Sequence, residues 1–207
     1  MLRVYFCRPE GEAPEHAEGL LSAYRREKLA ALKTPRARSE AVFSELLLRR
    51  ALAVSGFPVG ATLDIAAGEH GKPFLPGGEC FFSISHSAGA VLCAISDRET
   101  GADLQIVTRA KPPLMERFFA DEEREYVLSA EDADGAFTEI WTKKESWCKL
   151  SGLGLALPLK SFSVLDESIA PLMRHRRIGE YHLSVCGEAA RDGEIEWIDV
   201  NEDAFLA

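Results

Sequence analysis

The chain has 207 residues, 46% of them hydrophobic and 28% charged, which suffices for a buried core and is ordinary for a soluble globular protein. With 33 acidic against 24 basic side chains the net charge is -9, which argues against non-specific binding to nucleic acid or to an anionic membrane. The five cysteines, at 7, 80, 93, 148 and 186, form no C-x-x-C pair and no metal-finger spacing, so reduced thiols and a cytoplasmic setting are expected. The opening MLRVYFCRPEGE turns acidic too soon for a signal peptide, and no later run approaches the ~18 apolar residues of a membrane span.

The opening LRVYFC reads as a strand. EGLLSAYRREKLAALK then puts Leu21, Tyr24 and Leu32 on one helix face, with Arg25, Arg26 and Lys28 at its rim. Thr34 and Pro35 are N-cap and first-turn types, and Gly56 and Pro58 are stops, so a helix is predicted over about 35–54. TLDIA, CFFSIS, AVLCAIS and ADLQIV read as short strands between Gly- and Pro-rich turns such as EHGKPFLPGGE. From 113 the helical period returns in PLMERFF, DEEREYVLS and FTEIWTKKESWCKLSG, the last stopped by Gly152, Gly154 and Pro158. SFSVLD, YHLSVC and EIEWIDV are strand candidates, with Tyr181, Leu183 and Val185 alternating against His182, Ser184 and Cys186. The pattern suits an α+β chain of two similar halves, 1–100 and 101–207, with a ligand cleft between them.

Three clusters have the residue types for chemistry at a phosphate. In GADLQIV, Asp103 and Gln105 are two apart and share one face of a strand, like half of a cation site. In IWTKKESWCKLSG, Trp141, Glu145 and Lys149 follow at successive i+4 steps, which suits either a surface ion pair or a cation-binding carboxylate beside a phosphate-pairing lysine. FFSISHS places Ser85, His86 and Ser87 where a strand gives way to a turn of small residues, and Lys72 sits in the G-K-P turn. No nearby Asp completes a nucleophilic triad with either serine.

The succession GKPFLP, FFSISHS, GADLQ, RFFADEEREYVLS and IWTKKESWCKLSGLGL resembles the 4'-phosphopantetheinyl transferases of the Sfp type, closely over about 71–165 and more loosely around 22–50. The resemblance implies two α/β subdomains in a pseudo-twofold arrangement. Coenzyme A is then the substrate held between them, Mg2+ (or Mn2+) lies on its pyrophosphate, and an apo acyl or peptidyl carrier protein supplies the attacking serine. It places the cation on Asp103, position 105 and Glu145, with Glu145 also the general base and Lys149 beside it at the reacting phosphates. Lys72, Ser85 and His86 become phosphate contacts, and Arg25 and Lys28 approach the nucleotide end. A monomer is expected.

Two positions depart from that pattern. Gln105 stands where the family commonly has a glutamate, which removes one negative charge; Glu40 stands where related enzymes tend to have a basic residue. An active transferase with a two-carboxylate site is the leading expectation. A coenzyme A-binding homologue without turnover is the alternative, and an unrelated metal-dependent phosphohydrolase the third. The stretch KPPLMERFFADEEREYVLS is expected to meet the carrier, through Leu114 and Met115.

Overall fold

The computed structural model describes residues 1–205. In chain order the elements are β1 (Leu2–Cys7), α1 (Ala23–Ala31), α2 (Pro35–Val54), β2 (Ala66–Ala67), β3 (Pro73–Phe74), β4 (Phe81–Ser87), β5 (Ala90–Ser96) and β6 (Gly101–Ile106). There follow α3 (Pro112–Phe118), α4 (Asp121–Ser129), α5 (Ala133–Ser151), β7 (Met173–Ile178), β8 (Tyr181–Cys186), α6 (Glu188–Asp192) and β9 (Ile195–Asp199). The chain is a mixed α+β protein.

Two sheets form the centre, a four-stranded one ordered β4-β5-β1-β9 and a three-stranded one ordered β6-β8-β7. Strand alternation sorts their side chains into separate cores. Tyr5 and Cys7 of β1, with Val91, Cys93 and Ile95 of β5, pack against α1 and α2. Leu2, Val4 and Phe6, with Leu92 and Ala94, face the other way and meet Leu104, Leu183 and Val185 of the second sheet. Helix α5 covers the far face of that second sheet. The order across the molecule is therefore helix, sheet, sheet, helix.

The two sheets are also joined at their edges by the alternate serines of FFSISHS. Ser83 Oγ accepts from Ala102 N (2.9 Å), Ser85 Oγ donates to Asp103 Oδ1 (2.7 Å), and Ser87 Oγ accepts from Ile106 N (3.1 Å). All three lie on the face of β4 that meets β6, as a period of two requires.

The helix bounds follow their caps. Thr34 accepts from Ala37 N at the start of α2, and Asp132 accepts from Gly135 N at the start of α5, which ends on Gly152 at φ 70. α1 is shorter than predicted, because Ser22 caps it by accepting from Arg25 N. TLDIA yields only the two-residue β2, and SFSVLD forms no strand: Ser161 ends a short 3-10 helix, and Ser163 Oγ accepts from Leu165 N. The MRHRRI strand, β7, went unpredicted because an edge strand with arginines has no apolar alternation. His182 and Ser184 are buried rather than solvated, since α5 lies over them. Near the end of the chain, β9 returns to the first sheet and pairs in parallel with β1.

Candidate active site

The site is assembled where α5 crosses β6. Gly101 permits the close approach: a Cβ there would collide with the Ser146 carbonyl and the Leu150 amide of α5. Contact at that distance sets Glu145 and Lys149, one helical turn apart, over Asp103. Asp103 is 2% exposed and fully engaged. Its Oδ1 accepts from Lys149 Nζ (2.7 Å) and Ser85 Oγ (2.7 Å), and its Oδ2 from Gln105 Nε2 (3.2 Å). The Gln105 amide thus turns its N–H, rather than its oxygen, toward Asp103; its oxygen lies 3.5 Å from Ser87 Oγ.

Glu145 differs. It is half-buried, it accepts no hydrogen bond from the described residues, and it opens into a cavity of about 490 Å³ shared with Lys72, Phe118, Cys148, Lys149 and Leu159. Burial and the neighbouring Asp103 push its carboxyl above the usual range, while Lys149 acts in the opposite sense. A half-buried carboxylate beside a buried one, lacking donors of its own, is a place where added positive charge is favoured. Cys148 in the same wall is pushed up to about 11 by burial, so it stays a thiol and no nucleophile.

A second pocket of about 320 Å³ adjoins the first and shares Pro73, Ile84 and Lys149 with it. Arg25, His86, Ser85 and Tyr24 complete its wall. Here every basic side chain already has a carboxylate: Lys149 has Asp103, Arg25 has Glu45 (3.4 Å), and the His86 ring has Glu40 (3.1 Å).

Of the residues singled out from sequence, the fold therefore brings together Ser85, Asp103, Gln105, Glu145 and Lys149, and sets Arg25 and His86 next to them. Three stand differently from the expectation. Lys72 reaches the first cavity but is held by Glu99 Oε2 (2.8 Å) and by the carbonyls of Thr100 and Leu150, which pins its loop to the end of α5. Lys28 is exposed with Nζ 5.0 Å above the Tyr24 ring, outside the walls of both pockets. Met115, expected at a partner surface, is 3% exposed in the core with Phe119 and Phe137.

Sequence reasoning missed Glu45. It is completely buried and accepts from Ser22 N and Ser22 Oγ as well as Arg25, so it clamps α1 to α2 and holds the guanidinium at the pocket. The signal was present: in S-E-L-L-L the acid falls on the apolar face of a helix, where a charge needs a partner. Among the described residues no group of three or more His, Cys, Asp and Glu side chains is arranged around a metal position, in keeping with an amide at 105.

Comparison with known proteins places this geometry. The family profile of the 4'-phosphopantetheinyl transferase superfamily matches residues 99–195, the stretch that carries Asp103, Gln105, Glu145 and Lys149. A 4'-phosphopantetheinyl transferase of Bacillus subtilis is 31% identical over 166 residues, covering 78% of this chain and 74% of the relative. The enzyme Sfp of Bacillus subtilis strain 168 is 30% identical over the same length and shares. A fatty acid synthase subunit alpha of Schizosaccharomyces pombe is 34% identical over 83 residues, 37% of this chain and 4% of that one. At 31% identity over 78% of its length to one such transferase, this chain belongs to the 4'-phosphopantetheinyl transferase superfamily and is an enzyme of that type.

Proposed function

We propose that the chain transfers 4'-phosphopantetheine from coenzyme A to a serine of an apo acyl or peptidyl carrier protein, with a divalent cation, Mg2+ or Mn2+, at Asp103 and Glu145. The observation that carries this reading is Glu145: a half-buried carboxylate with no hydrogen-bond donor among the described residues, facing Asp103 and lining a cavity of about 490 Å³ beside Lys149. The donor set fits a hard cation, since Asp103 and Glu145 offer anionic oxygens from two facing elements, and the Gln105 amide oxygen is a weaker third ligand once turned. When bound, such an ion withdraws charge from the pyrophosphate oxygens of the donor.

This chain's own residues supply the rest. Glu145, with its carboxyl raised by burial, is suited to accept the proton of the carrier serine. The serine oxygen forms a bond to the β-phosphorus, the bond from that phosphorus to the bridging oxygen breaks, and 3',5'-ADP leaves. Lys149 and, across the adjoining pocket, Arg25 and His86 stabilise the phosphoryl charges, while Lys72 and Ser85 act by holding the loop at 71–73 and Asp103 in place. Lys28 serves the rim of the nucleotide pocket. Two α/β subdomains in pseudo-twofold relation, 1–100 and 101–207, are part of the reading. It is supported by one long helix on the outer face of each sheet, with β9 crossing back. A monomer in the cytoplasm completes it; no helix among the described residues is long and apolar enough to cross a membrane. With Met115 buried and Leu114 half-buried against the same core, carrier contact falls to the exposed Tyr126 and Leu128 of α4.

The test is intact-protein mass spectrometry of apo carriers incubated with this protein, coenzyme A and Mg2+ or Mn2+. A gain of one phosphopantetheine on a carrier serine is the expected result. The Gln105 amide, donating to Asp103 where an acid would ligate, favours one other reading, a homologue that binds coenzyme A and leaves every carrier unmodified.

A further inference from the structure

The Glu40–His86 pair is built from three elements. Helix α2 brings Glu40, β4 brings His86, and the turn between β4 and β5 brings the Gly89 amide. Glu40 Oε1 accepts from Gly89 N (2.7 Å) and from Arg36 Nε (3.1 Å), and its Oε2 lies 3.1 Å from His86 Nδ1. Both oxygens are engaged, the side chain is 12% exposed, and Glu40 does not line the pocket. The turn it holds is strained. Ala88 has φ 52, a left-handed conformation costing about 1–2 kcal/mol for a residue with a Cβ, and Gly89 follows at φ 88. Tyr181 Oη fixes the same turn from the second sheet by donating to Ala88 O (3.0 Å).

This arrangement decides what the imidazole presents. A carboxylate on Nδ1 requires the proton to sit there, which in the neutral ring leaves Nε2 a bare acceptor. Nε2 has no hydrogen-bond partner among the described residues, and the ring forms part of the wall of the 320 Å³ pocket with Arg25, Lys149 and Tyr24. Burial holds His86 below the ordinary imidazole range; Lys149 and Arg25 act the same way, and Glu40 opposes all three. An anion cannot hydrogen-bond to a bare acceptor. It binds at Nε2 only together with a proton.

We infer that Glu40 is a positioning residue for His86, fixing its Nδ1–H tautomer so that a phosphoryl group of the donor entering the pocket draws one proton from solvent onto Nε2. The inference rests on coenzyme A being the donor. The imidazolium so formed lies between two anions, Glu40 on Nδ1 and the phosphoryl group on Nε2, with Arg36 behind Glu40. The acid at position 40 then strengthens anion binding, where a reading from charge alone expects repulsion.

Calorimetric titration of the full chain with coenzyme A, at neutral pH in buffers of different ionisation enthalpy, counts the protons taken up. The wild type takes up about one more proton per coenzyme A than His86→Gln, whose side-chain amide donates without titrating. Its affinity also falls by up to about tenfold per pH unit above neutrality relative to that variant. The ligand's own phosphates contribute equally to all the proteins compared. Glu40→Gln loses most of that extra proton and binds about tenfold more weakly, or about 1.4 kcal/mol, and Glu40→Asp recovers part of both. Thermal denaturation checks that each variant is folded; if Glu40→Gln is not, wild type against His86→Gln decides. Equal uptake in wild type and His86→Gln, or undiminished uptake in a folded Glu40→Gln, overturns the inference. Failure of wild type to bind coenzyme A overturns the donor reading and the inference with it.

Discussion

Two lysines of helix α5 pair with carboxylates on other elements in nearly equal geometry and opposite surroundings. Lys144 meets Glu123 at 2.7 Å with both side chains 0% exposed, and Lys149 meets Asp103 at the same distance with the lysine 30% exposed. The first pair is saturated: Lys144 also donates to Phe162 O, and Glu123 accepts from Ala120 N and Val164 N. Burial lowers the Lys144 pKa and Glu123 raises it again, leaving it below the ordinary lysine range. The second pair opens onto two pockets. A sealed pair ties α4 and the segment at 162–164 to the helix; a pair at a cavity wall can exchange its partner for a ligand. Side-chain type and distance do not separate these roles, and access does.

Removing one partner of the sealed pair should have the largest effect on stability. Lys144→Met leaves Glu123 buried without its cation and is expected to cost about 3–5 kcal/mol in urea unfolding. A loss below ~1 kcal/mol would remove the distinction between the pairs. At the open side, Glu145→Gln is expected to lower turnover at least about a hundredfold while making the fold more stable at neutral pH. The sign follows from linkage. A carboxyl raised in the folded state binds more protons folded than unfolded, so stability falls as pH climbs from the ordinary carboxylate range through the raised value. Glutamine removes that loss, so its melting temperature exceeds the wild type's at pH 7 and converges with it near pH 4; a lower value at pH 7 would contradict the assignment.

Gly101→Ala tests whether the open pair depends on the approach of α5 to β6. Overpacking there should cost about 1–3 kcal/mol and reduce turnover as well, because Glu145 and Lys149 move with the helix. Stability loss with turnover unchanged would mean that the placement of the helix is not limiting. The smallest change is Gln105→Glu, which adds a carboxylate oxygen beside Asp103 and should lower the Mg2+ concentration for half-maximal rate by up to about tenfold. An unchanged requirement would separate residue 105 from the ion.

Much of the frame was legible because its signals are local. Thr34 and Pro35 at the start of α2 and Gly152 at the end of α5 act through neighbours within a few residues, and alternation set the inward face of β8. Type and spacing drew attention to Asp103, Glu145 and Lys149 on their own strand and helix, and the family resemblance supplied their expected roles. Met115, expected at a carrier surface, lies in the core, since an apolar residue on a short helix suits either place until its neighbours are known. β7 escaped for the related reason that an edge strand needs no apolar period.

The sequence by itself thus determined most of the elements, the ends of α2, the stop of α5 and the residue types at the site, all of which depend on neighbours along the chain. Tertiary structure alone decided which charge meets which: that Glu40 holds His86, Glu45 holds Arg25, and Glu99 holds Lys72. It also decided that Lys144 is sealed while Lys149 is open. The physical reason is that the strength and role of a charge are set by its burial and by partners far off in sequence, and both exist only once α5 has settled on the second sheet.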